Sequence, residues 1–189
     1  MREADWREEL GWIARAGWML QKGLGDAEIA AVETHYGFHF PPDLRSFLTA
    51  AVPHGERFPN WRNVGSEELR QTLAWPADSI CFDIEHNDFW WPAWGARPAN
   101  LRDAVELALA RLSEAPRLVP VYAHRYLPSE PWEAGNPVFS VYQTDIILYG
   151  ADLRAYLACE FGLVPHQEAI AGSLKRVPFW SDVVQYNAG

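Results

Sequence analysis

His124, Arg125 and Tyr126 stand next to one another in the chain, and Asn136, Tyr142, Gln143 and Asp145 follow shortly after. An imidazole beside a guanidinium could work as a general base next to an anion clamp. No Ser or Cys sits at a glycine elbow to supply a nucleophile, and Cys159 is the one thiol left unplaced near this block. The intervening residues Val138–Tyr142 and Ile146–Leu148 are apolar enough to be strands. A buried polar group without a partner costs about 1–3 kcal/mol, so polar side chains this dense imply an organised network. The expectation is a polar network tying strand to loop, with Asp145 pairing with Arg125 or capping the turn. A pocket built by His124, Arg125 and Asp145 is the competing reading.

Asp83, Glu85, His86 and Asp88 form a second constellation. If Ser79–Ile84 is a buried strand, Asp83 and Glu85 share one face and His86 takes the other. Converging oxygens of this kind suit a hard cation. The plainer expectation is a solvated strand end running into a loop, with no metal or cofactor. No phosphate-cradling glycine motif occurs, so a nucleotide site has no support. The stronger candidate is the aromatic loop Asn87–Gly95. Its neighbours Trp90 and Trp91 must point apart, so at least one ring lies near the surface. Trp90, Trp91 and Trp94 beside Glu85 and Asp88 resemble an aromatic anchor with an acidic rim, as does Trp132 in its own turn.

These groups need elements to position them. Trp6, Leu10, Ile13, Gly17 and Leu20 recur at helical spacing, and Gly23 and Gly25 end that run. A second helix buries Ile29, Val32 and Tyr36 and stops at Gly37. A third starts at Pro41-Pro42-Asp43, where proline in a first turn loses no hydrogen bond. Ala51–Leu73 reads mostly as loop, with a short helix near Ser66–Leu73. Leu101, Val105, Leu109 and Leu112 predict the apolar face of a further helix. Leu118–Tyr122 is a strand, Asp152–Phe161 a helix stopped by Gly162, and the tail around Val177 and Trp180 a final short helix. Helices at both ends around clustered strands predict a single α+β domain with a mainly antiparallel sheet.

The 189 residues carry a net charge of −9, which disfavours nonspecific nucleic-acid binding and suits a basic protein partner. Ten Trp is a large number, and such rings serve a core or an interface. Two distant cysteines predict neither a disulfide nor a metal site. Asp5, Glu8 and Glu9 stand where a secretion signal would be basic and then apolar, and no apolar stretch reaches membrane-spanning length. A cytoplasmic protein is expected, away from membranes. The oligomeric state is left open.

The run Glu33-Thr34-His35-Tyr36-Gly37 through Phe40-Pro41-Pro42-Asp43-Leu44-Arg45-Ser46-Phe47-Leu48 resembles the opening motif of the SUKH superfamily. Pro53-His54-Gly55 stands where that motif ends in Asn-Gly, a departure from the pattern. The His124–Tyr126 and Gly135–Gly150 block, continuing into Asp152-Leu153 and Tyr156-Leu157, is similar to a stand-alone bacterial subgroup, as is the Asp88–Gly95 loop. The resemblance spans about residues 24–161. Residues 1–23 would then be a helical extension and 162–189 a tail packing back on the domain. It implies a compact α+β domain that binds proteins and is not an enzyme. Many bacterial relatives are immunity proteins that neutralise polymorphic toxins, and fungal ones regulate cell-wall synthesis. The alternative is a small-ligand-binding protein or enzyme built on the His124, Arg125 and Asp145 pocket.

Overall fold

The computed structural model describes residues 5–188. Helix α1 (Arg7–Arg15) buries Ile13, and Trp6 just ahead of it is also in the core. The helix ends earlier than the apolar spacing predicts, because Gly17 adopts a φ of +91°, which a residue lacking a Cβ takes at little cost. The chain then forms strand β1 (Met19–Lys22), paired antiparallel with β2 (Ala51–His54), a segment expected to be loop. Between them, α2 (Asp26–Tyr36) stops at a left-handed Gly37, and α3 (Pro42–Ala50) opens on proline. Ile29, Val32, Leu44, Phe47 and Leu48 are buried as predicted, while Tyr36 is half-buried.

The largest departure is α4, one helix from Glu67 to His86 that absorbs the short helix expected at 66–73 and the strand expected at 79–84. Leu69, Leu73, Ile80 and Ile84 keep helical spacing across the whole run, and a short apolar segment read alone cannot separate helix from buried strand. Pro76 lies inside the helix and lacks the N–H that would bond Thr72 four residues back. The Tyr126 hydroxyl donates to that free Thr72 carbonyl at 3.0 Å. Burial raises the Tyr126 phenol above its ordinary pKa, so it stays protonated and able to donate. A side chain from the sheet thus repairs the break in the helix.

Helix α5 (Leu101–Ser113) packs on a face rotated from the predicted one, which it shares at Leu112. Ala104, Ala108 and Leu112 are buried, whereas Leu101 and Leu109 are exposed. The two alanines let α5 approach α4 and the Trp91 ring closely, and the bulkier leucines are left outside. Strands β3 (Leu118–Tyr122), β4 (Arg125–Pro128), β5 (Val138–Tyr142) and β6 (Asp145–Gly150) form an antiparallel meander in that order. Strand β4 was not separated from its turn in the sequence. Helices α6 (Leu153–Glu160), α7 (His166–Ala169) and α8 (Trp180–Asn187) complete an α+β fold.

The meander is the middle layer. Side chains alternate along each strand, so Val119, Val121, Leu127 and Val138 join the core with α1, α2, α3 and α6. Leu118, Tyr126, Phe139, Val141 and Ile146 face the opposite core with α4, α5 and α8. Both chain ends contribute: Trp6 Nε1 donates to Ser46 Oγ at 3.0 Å, and Trp180 Nε1 donates to the Pro116 carbonyl at 2.6 Å. The two blocks that carry the family resemblance meet in space. Gly135 N–H donates to Asp43 Oδ2 at 3.0 Å, and Trp132 Nε1 donates to the Phe40 carbonyl at 3.0 Å. Burial raises the Asp43 carboxyl above its ordinary range, opposed by the backbone donors it accepts.

Candidate functional site

The first and last of the meander's three hairpins close through two residues each, Ala123-His124 and Gln143-Thr144. The first residue of each turn is left-handed, with φ of +48° at Ala123 and +56° at Gln143. Tight hairpin turns prefer Asn or Gly at such positions, and other residues there store strain of the kind found at functional surfaces. The pairing of β4 with β5 sets the two tips side by side. The His124 and Tyr142 rings lie 6.1 Å apart, and Tyr142 lies 6.5 Å from Trp75 on α4. Tyr142 is 58% exposed and Trp75 40% exposed, with the indole fixed by a 3.1 Å bond from Nε1 to the Val141 carbonyl. Burial, followed by the positive charges of Arg125 and Arg57, lowers the His124 pKa, so the ring at this tip is neutral at physiological pH. Replacing Gln143 with asparagine, which tolerates the left-handed region, is expected to stabilise the protein by about 0.5–1 kcal/mol. Thermal melting would then rise by roughly 1–4 °C. An unchanged or lower melting temperature would mean that the Gln143 side chain itself holds the turn.

The helix supplies the other half of this face. Trp75, Asp78, Phe82 and Glu85 follow at three- and four-residue steps on α4, so they share one side of it, and all four are exposed. Phe82 is 43% exposed, and its ring stacks on His86 at 4.2 Å. Glu68 lies two turns before Trp75 on the same side. Among the described residues, none of Glu68, Asp78, Glu85 and Asp145 forms an ion pair. Exposed rings bordered by uncompensated carboxylates suit an arginine or lysine of a partner, which can stack on the ring and pair with the acid.

Asp83 joins the helix to the hairpin. Its side chain is buried, and Oδ2 accepts from Thr144 N–H at 2.8 Å and from Thr144 Oγ1 at 2.6 Å. Oδ1 accepts from Asn87 Nδ2 at 2.6 Å. The metal reading of Asp83, Glu85, His86 and Asp88 dissolves on this geometry. Asp83 faces inward as a clamp, Glu85 and His86 lie outside on the helix, and Asp88 bonds Arg97.

The polar block divides rather than converging on a pocket. Arg125 is buried and donates to Ser140 Oγ at 3.0 Å, with its guanidinium 3.8 Å from the centre of the Tyr149 ring. Its ion-pair partner is Glu160 of α6, at 3.6 Å, and not Asp145, which is exposed opposite Tyr142. Arg125 Nε, Glu160 Oε2 and the buried Tyr156 hydroxyl all lack a hydrogen-bond partner, so this network is incompletely satisfied. Tyr126 points to the other side of the sheet. Asn136 is buried away from both, donating to the Pro131 carbonyl at 2.8 Å. Only His124, Tyr142, Gln143 and Asp145 reach the hairpin ends. Neither thiol is activated: burial pushes Cys81 up to about 11 and also raises Cys159.

The aromatic loop is less open than its sequence implies. Trp91, expected among the binding residues, is 9% exposed and packs edge-on against Phe179 and Tyr186. Trp90 and Trp94 are half-buried, Trp90 through a 2.8 Å bond from Nε1 to the Gly95 carbonyl and Trp94 stacked on Phe179. The loop folds over the edge of the core because α8 supplies it with an aromatic wall. Trp132 is 61% exposed but sits at the far end of the strands, beside His39. The site residues that the sequence did not reveal are Trp75, Asp78 and Phe82. Their helical spacing was the available signal, and Pro76 in their midst disguised it.

Among the described residues, no helix is long and apolar enough to cross a membrane, and no group of three or more His, Cys, Asp or Glu could hold a metal ion. Comparison of the chain with protein-family models, curated proteins and solved structures returns no match.

Proposed function

We propose that this chain is a non-enzymatic protein-binding domain whose recognition face is formed by the hairpin ends and the outer side of α4. The observation that carries the reading is the exposed row Trp75, Asp78, Phe82 and Glu85 along one side of α4, with the exposed Tyr142 ring of the hairpin end 6.5 Å from Trp75. Single exposed apolar residues are common, but large rings held in place beside unpaired acids match the anatomy of interface hot spots. Trp75 is already immobilised by its bond to Val141, so binding there loses little side-chain entropy. The raised thiols and the dispersal of the His124–Asp145 block on the sheet favour recognition over catalysis.

The family resemblance specifies the role further. The chain acts as a bacterial immunity protein, and its partner is a basic toxin domain held through the acidic rim. The test is co-expression with the C-terminal domain of a secreted polymorphic toxin whose gene lies directly upstream, where genome inspection finds one, reading growth and binding together. Protection by the wild-type chain, and its loss in the exposed double variant Asp78→Lys/Glu85→Lys, is the expected result. Charge reversal at a complementary rim is expected to weaken binding by about tenfold or more. If the chain neither binds nor protects, and His124→Ala abolishes a measurable turnover or a ligand-induced melting shift, the enzyme reading takes its place.

A further inference from the structure

Strand β6 forms one edge of the meander, where a row of backbone groups would otherwise stand open to another strand. The C-terminal segment fills that row. The Asn187 side chain, in the last turn of α8, donates from Nδ2 to the Thr144 carbonyl at 2.7 Å and to the Ile146 carbonyl at 3.3 Å. One nitrogen serves both because a side-chain amide carries two N–H groups. His166 Nε2 of α7 lies 2.8 Å from the Leu148 carbonyl, a bond that requires the ring to carry a proton there, and Ala151 N–H donates to the Ala169 carbonyl at 2.7 Å. With three carbonyls at two-residue steps engaged, strand addition along this edge is blocked, and a partner at the hairpin end has to be met by side chains.

Thr144 is held from both sides. Asp83 accepts its N–H and its hydroxyl at 2.8 and 2.6 Å on the inside, and Asn187 engages its carbonyl from the outside. The turn needs such support, because Gln143 beside it takes a φ of +56° and a strained backbone persists only where its surroundings over-determine it. Helix α8 is itself anchored: Trp180 and Val183 are buried, and Tyr186 packs edge-on against Trp91 at 5.3 Å. Its last turn is thus a fixed point from which a side chain reaches the hairpin.

We propose that Asn187 is a positioning residue for recognition, fixing the β5–β6 turn, and through it the Tyr142 ring, to the C-terminal helix. The inference rests on the recognition face proposed above. Asp83 is the inner half of the clamp and Asn187 the outer half, so a change at the end of α8 is felt where Tyr142 stands beside Trp75.

The test compares Asn187→Ala and the isosteric Asn187→Asp with the wild type by amide hydrogen exchange on the free chain, which requires no partner. Asn187 is exposed, so both variants keep the core. Aspartate preserves the shape but turns an acceptor toward two carbonyls, so its effect exceeds that of alanine. Exchange at the Thr144 amide is expected to quicken about two- to tenfold in Asn187→Ala and further in Asn187→Asp, while the amides of β3 and β4 keep their rates. An unchanged rate at Thr144, or a rise shared by β3 and β4, would overturn the positioning role. Binding then separates this role from the recognition reading. The toxin domain identified by the protection assay is expected to bind Asn187→Asp about two- to tenfold more weakly, the cost of ordering a loosened turn. Equal binding by a variant whose turn has loosened would show that Asn187 does not serve recognition, whereas a wild-type chain that binds no toxin domain would overturn the recognition reading itself.

Discussion

Trp91→Ala is expected to destabilise the protein by about 3–5 kcal/mol, lowering the melting temperature by roughly 6–20 °C. From the sequence, Trp91 is a candidate binding ring, and as such its loss would leave stability nearly unchanged. The structure puts it in the core between the α4–α5 pair and the C-terminal helix, against Phe179 and Tyr186. Removing it empties a space bordered by Ile84, Ala104 and Trp180, side chains already held in place by their own packing. Trp90→Ala is the internal control. That ring is half-buried and has one bond to a loop carbonyl, so its loss is expected to cost about 1 kcal/mol. Chemical denaturation of the two variants, read as midpoints at constant slope, separates them. Equal costs would mean that the loop is not anchored through Trp91.

Asp83→Ala is expected to cost about 3–5 kcal/mol, because three donors lose a buried charged acceptor at once. Those donors are Thr144 N–H, the Thr144 hydroxyl and the Asn87 amide. Asp83→Asn is expected to recover only part of the loss, since whichever carboxylate oxygen becomes the amide nitrogen then faces a donor. The consequence reaches the recognition face, because the hairpin turn that Asp83 holds also presents Tyr142. Destabilisation below about 1 kcal/mol in urea unfolding would show that the turn does not depend on this clamp.

These two residues mark where the sequence was legible and where it was not. The buried faces of α2 and α3 followed from spacing and from the proline and glycine at their ends. Most of the meander followed from apolar runs bounded by turns, and the α+β class followed from the order of elements. Asp83 was misplaced because Pro76 concealed a helix, and the hydroxyl that repairs the break comes from Tyr126, far along the chain. On a strand Asp83 would share its face with Glu85. On the helix the two separate, one inward as a clamp and the other outward as part of the acidic rim. Trp91 was misplaced because its aromatic wall is supplied by α8, whose position no local pattern encodes. Arg125 was recognised as part of a network, but its partner Glu160 belongs to a helix that only the packing of α6 on the sheet brings near.

The central claim is that the chain recognises a protein through Trp75, Phe82 and Tyr142 and the acids beside them. Hydroxyl-radical footprinting, with and without the toxin domain identified by the protection assay, tests it most directly because oxidation reports the exposure of individual rings. The account predicts that oxidation of Trp75, Phe82 and Tyr142 falls in the complex while that of Trp90 and Trp94 does not change. Protection confined to Trp90 and Trp94, with the three rings as reactive as in the free chain, would contradict it.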